Sequence, residues 1–110
     1  MGSTEKLEIL SILNGTLEAL LGSRIGIVEA SSIISASRVA LRQESNPLFM
    51  PFVGIDSDTD RFPVGSGREL WASDALVRYD HERGAIEQHY SPLAMRSAKA
   101  LLAWANAQEF

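Results

Sequence analysis

Three carboxylates alternate along Asp56-Ser57-Asp58-Thr59-Asp60. Alternate residues of a curved loop can aim several oxygens at one point, which is what a hard cation such as calcium requires. The rest of a calcium loop is missing. Counting Asp56 as the first position, the sixth is Arg61, where a glycine makes the sharp turn, and the twelfth is Gly67, where a bidentate glutamate closes the cage. Arg61 would also set a positive charge beside the ion. Two other uses remain open. Asp and Ser side chains bond to nearby backbone amides and stabilise turns, or the carboxylates are presented to a basic partner.

Other candidate chemistry is weaker. His81 and His89 lie eight residues apart, with Asp80, Glu82 and Glu87 nearby. On a helix that is about two turns along one side. No His-Glu-x-x-His occurs, and paired zinc ligands sit closer, so a solvated charged face is the simpler reading. Val64-Gly65-Ser66-Gly67 has the glycine content of a phosphate cradle but lacks its lysine and its strand-to-helix context. Ser31, Ser32, Ser35 and Ser37 stand in no Gly-x-Ser-x-Gly elbow and have no evident relay; their small size suits close helix approach. Glu69, Asp74 and the Asp cluster supply carboxylates, but nothing selects an acid-base pair. The chain therefore reads as a non-enzyme, with no catalytic residues, no metal ligands and no cofactor.

The totals agree with an ordinary globular domain. The chain has 110 residues, 45% apolar and 22% charged, with a net charge of -4 and no cysteine. One domain spanning 1–110 is expected. Lack of cysteine removes disulfides, thiolate metal sites and cysteine nucleophiles, and fits a reducing cytoplasm. The ten basic residues are scattered, so the basic footprint of a nucleic-acid binder is missing. No apolar run reaches the ~20 residues that span a bilayer. Glu5, Lys6 and Glu8 interrupt any leader-like apolar segment. The expected surroundings are cytoplasmic, without membrane or nucleic acid. An acidic chain points to a partner with a basic protein surface.

The elements that must position these residues are helical. Leu7, Leu10, Leu13, Leu17 and Leu20 recur at three- and four-residue steps and predict a first helix, with Asn14-Gly15 as a possible break. Gly22-Ser23 reads as a stop followed by a cap, and a second helix is predicted from about Arg24 to Gln43. Glu44-Ser45-Asn46-Pro47 ends it. Ser73 caps a third helix whose apolar stripe, Leu76, Tyr79, Ile86 and Tyr90, is thin. Ser91 and Pro92 mark a boundary before a fourth helix with Ala94, Ala98, Leu101, Leu102 and Ala105 on its buried face.

Between the helical halves lies Leu48–Trp71, which carries the Asp cluster and is rich in Phe49, Phe52 and Phe62. Its apolar content argues for an ordered, packed loop rather than disorder. A short β-hairpin around the Asp cluster is an alternative, with Pro63 confined to an edge. Trp71 closes the loop as a packing anchor or, if exposed, as a binding hot spot. The fold class is mainly α: about four helices in a small bundle-like domain with a long ordered central loop.

Phe49-Met50-Pro51-Phe52-Val53-Gly54-Ile55-Asp56-Ser57, followed by Thr59-Asp60, Pro63, Gly65 and Trp71, resembles the central motif of a group of small uncharacterised bacterial proteins, a domain of unknown function. The resemblance covers roughly residues 10 to 104. It implies two N-terminal helices, a Phe-Pro stretch leading into an Asp-Ser-x-Thr-Asp turn, a tryptophan and two further helices. It brings no catalytic residues. Size and acidity also match immunity-type proteins, by analogy alone.

The leading expectation is a cytoplasmic interaction protein, immunity-like, that binds a protein partner through Asp56, Asp58, Asp60, Arg61 and Trp71. The alternative is a small ligand- or calcium-binding domain built on the same loop. A third reading is a homodimer that buries the thin stripe of the third helix.

Overall fold

The computed structural model describes residues 3–61 and 72–108. Among these residues four helices make up a small, mainly α bundle: α1 (Ser3–Leu21), α2 (Ile27–Ala40), α3 (Met50–Thr59) and α4 (Ser73–Asn106), with one turn of 3-10 helix at Pro47–Phe49 leading into α3. No strand occurs among the described residues, so helix takes the place of the β-hairpin that was the alternative around the Asp cluster. The first part of the expected loop is helical for a reason visible in its spacing. Phe49, Phe52, Ile55 and Thr59 fall on one face and are all buried. Pro47 and Pro51 fall in the opening turns, where the missing donor is tolerated. Asn46 caps this start by accepting from the Leu48 amide at 3.1 Å. Pro63, the Val64–Gly67 segment and Trp71 lie outside the described residues.

α1 packs on both α2 and α4, and α3 packs chiefly on α2. Leu10, Leu13, Leu17 and Leu20 enter the core as their spacing requires, whereas Leu7 stands exposed above it. Asn14-Gly15 does not break α1, and Thr16 donates to the Ile12 carbonyl at 2.8 Å within the unbroken ladder. Phe49 meets Trp104 edge to face, with ring centroids 5.6 Å apart. Phe52 is fully buried, and truncating it to alanine would cost about 3–5 kcal/mol.

Two helix ends share one device. After α1, Ser23 adopts φ 58, Ser23 N–H donates to Leu20 O at 3.1 Å and Arg24 N–H to Ala19 O at 2.7 Å. After α2, Arg42 adopts φ 56, Arg42 N–H donates to Val39 O at 3.1 Å and Gln43 N–H to Arg38 O at 2.8 Å. Both are left-handed terminations that close the last carbonyls, in positions normally given to glycine. Ser23 therefore ends α1 instead of capping α2. α2 begins at Ile27 and ends at Ala40, shorter at both ends than Arg24–Gln43.

α2 is capped from a distance. Glu87 of α4 accepts from the Val28 amide at 3.0 Å, which satisfies an otherwise unpaired donor at the positive end of the helix. A Cβ on Gly26 would stand 2.7 Å from that same Glu87 oxygen, so glycine is what admits the carboxylate.

The expected boundary at Ser91-Pro92 is absent. α4 is one helix of 34 residues with Pro92 inside it. Proline here removes the bond to Gln88, but Pro92 is exposed, so water can serve the freed carbonyl. Ala94, Ala98, Leu101 and Ala105 hold the following turns in the core. The helix is capped at Ala72, with Ser73 already its first residue. Its buried residues all follow Pro92. In the half before Pro92, Leu76, Tyr79 and Ile86 are only half-buried and Val77 is 71% exposed. No helix among the described residues is long and apolar enough to cross a membrane.

Candidate functional site

The acidic residues occupy the C-terminal turn of α3, which ends at Thr59 with Asp60 as its cap. Successive residues of a helix are about 100° apart. Asp56 and Asp60 therefore share a face, while Asp58 points away from both. An alternating pattern that would converge on a loop diverges on a helix. Among the described residues, no group of three or more His, Asp or Glu side chains is placed to hold a metal ion. His81 and His89 are both exposed on α4.

Asp58 faces α4. Its Oδ2 accepts from the Tyr90 hydroxyl at 2.8 Å. The Tyr90 ring packs against the core while its hydroxyl reaches the surface, the usual division of labour for a tyrosine. The bond to Asp58 holds the Tyr90 proton and raises the phenol above its ordinary range, helped by burial and by the Asp58 charge.

Arg61 clasps the same end. Its Nη1 donates to the Asp58 carbonyl at 3.1 Å, closing a free carbonyl of the last turn where a cation is favoured. Its Nη2 stands 3.9 Å from Glu82 Oε2, with both side chains about half exposed, a pair worth little on its own.

Asp56 and Asp60 are differently placed. Asp60 is exposed and Asp56 partly buried. Burial raises the Asp56 carboxyl above the ordinary aspartate range, and the Asp60 charge adds to the rise. Both charges sit at the negative end of the helix dipole, and like charges at i, i+4 repel. The fold gains nothing visible from this pair.

Of the five sequence-nominated residues, Asp56, Asp58, Asp60 and Arg61 share one helix end, though not one face, and Trp71 falls outside the described residues. Tyr90 and Glu82 of α4 lie outside that set. Tyr90 carried a signal: a tyrosine on an apolar stripe needs a partner for its hydroxyl. Its partner lies 32 residues away, and no spacing rule reaches that far. Compared with protein-family models, curated proteins and solved structures, the chain matches none of them.

Proposed function

We propose that this chain is a non-enzymatic bacterial interaction protein, immunity-like and cytoplasmic, whose acidic α3 end docks a basic surface of a protein partner. Asp56 and Asp60 make the contact. Asp58 and Arg61 hold the helix end against α4 through Tyr90 and Glu82. The observation that carries the reading is the Asp56–Asp60 pair itself: two like charges one turn apart at the wrong end of a helix, one of them partly desolvated. Local rules are broken most often where a site requires it. A guanidinium or ammonium from a partner would relieve both penalties at once.

The test is a pull-down from native-host lysate with wild type beside Asp56→Ala/Asp60→Ala, each verified as folded. The expected result is a basic protein retained by wild type at low salt, lost with the double variant and weakened as salt rises. Retention indifferent to both substitutions and to salt would remove the acidic end from the interface.

A further inference from the structure

A recess of about 380 Å³ opens between the turn joining α1 to α2 and the middle of α4. It is a shallow hollow, wide open to solvent, with room for a small molecule. Its floor is apolar, formed by Leu20, Ile25, Ile27 and Met95. Two oppositely charged side chains line it, Glu87 and Arg24.

Glu87 is held in place. One oxygen accepts from the Val28 amide at 3.0 Å and the other lies 3.8 Å from Arg83 Nε. Its side chain is only 22% exposed. A carboxylate offers about four acceptor positions, so two partners leave room for further donors. Arg24 differs. Its guanidinium folds back toward Gly22, with Nη1 2.9 Å from where a Cβ on that glycine would stand. That guanidinium makes no hydrogen bond or ion pair among the described residues.

Gly84 forms part of the α4 wall, and nothing lies within 4 Å of where its Cβ would be. Packing does not require glycine there, and inside a helix glycine is less favourable than alanine. What the missing side chain does is leave the recess open.

We propose that this recess binds a free α-amino acid with an apolar side chain. Glu87 receives the ammonium group, Arg24 closes on the carboxylate, and the side chain lies on Leu20, Ile25, Ile27 and Met95. Opposite charges around an apolar floor complement a zwitterion. A simple amine leaves Arg24 unpaired, and a simple carboxylate faces Glu87. The recess is separate from the acidic end of α3: none of its lining residues belongs to α3. The two readings therefore stand or fall independently.

The experiment is an amide-resolved NMR titration of the whole chain with L-valine, L-leucine, L-methionine and L-phenylalanine. Saturable shifts are expected at Gly26, Gly84 and Ser91 with at least one of them. Arg24→Gln removes no side-chain bond among the described residues and should weaken binding by about tenfold or more, the worth of one charge-assisted contact. Gly84→Leu should abolish binding while distant amides keep their wild-type positions. When leucine is the amino acid that binds, isopentylamine and 4-methylpentanoate, which each lack one of its charges, should bind about tenfold more weakly. No saturable shift with any of the four amino acids overturns the proposal. So does undiminished binding by Arg24→Gln or by the amine.

Discussion

The Tyr90 hydroxyl donates to Asp58 Oδ2 across 2.8 Å and ties the last turn of α3 to the middle of α4. Beside it stands the looser contact of Arg61 with Glu82 at 3.9 Å. Tyr90→Phe keeps the ring and removes only the bond. Stability should fall by about 0.5–1.5 kcal/mol, read by urea denaturation. The wild type should also lose this contribution at high pH. The folded state holds the Tyr90 proton more tightly than the unfolded chain. The stabilisation is therefore complete below the ordinary phenol value of about 10 and is lost as pH rises through the higher folded value. In Tyr90→Phe that alkaline loss should shrink.

Asp56 should behave in the same sense at the acid end. Its folded carboxyl binds a proton more readily than the unfolded one, because of burial and then Asp60. Its share of stability is complete below the ordinary aspartate value of about 4 and declines as pH rises through the folded value. Asp56→Asn should flatten that decline and raise stability at pH 7 by a few tenths of a kcal/mol, the usual scale of a like-charge i, i+4 pair. Thermal melts at pH 3.5 and pH 7 measure both. A variant less stable than wild type at pH 7 would mean that the charge holds a partner within the fold.

Arg42 ends α2 at φ 56. An L-residue pays about 1–2 kcal/mol for that conformation, part of which glycine returns through its looser unfolded chain. Arg42→Gly should therefore raise stability by up to about 1 kcal/mol, with the Gln43-to-Arg38 bond preserved. A destabilised variant would show that the Arg42 side chain holds the end of the helix.

Pro92 lies exposed inside α4. Pro92→Ala restores the amide donor to Gln88 and removes the ring, for a gain of about 1–3 kcal/mol. Chemical denaturation gives the value directly. A loss would mean that the packing of Ala94 and Ala98 depends on the helix path that proline sets.

Much of the fold was legible where periodicity alone decides. Leu10, Leu13, Leu17 and Leu20 announce the buried face of α1, and Ala94, Ala98, Leu101 and Ala105 that of α4. Phe49, Phe52 and Ile55 carried the same helical spacing, yet Pro51, Gly54 and β-favouring Phe52-Val53 spoke locally for an extended loop. Burial of the aromatic face overrode them. At Ser91-Pro92 a local stop signal lost to the core contacts beyond it. The positive φ at Ser23 and Arg42 left no trace in residue type, since neither is glycine. For the site, the alternating aspartates were visible, but their divergence followed only from the helix. The Asp58–Tyr90 bond and the Glu87 cap on α2 join residues 32 and 59 positions apart, which no local pattern encodes.

The uneven burial along α4 gives one continuous helix two local lifetimes. Every buried residue of that helix lies beyond Pro92, so opening the last four turns means opening the core. The amides there should exchange with solvent only at the rate of global unfolding. Toward Ser73 the helix has no fully buried side chain, and its amides should exchange faster than those of the last four turns. At its midpoint, Tyr90 and Glu87 bind that looser half to α3 and α2, so whatever occupies either flank would be felt as slower exchange along the helix.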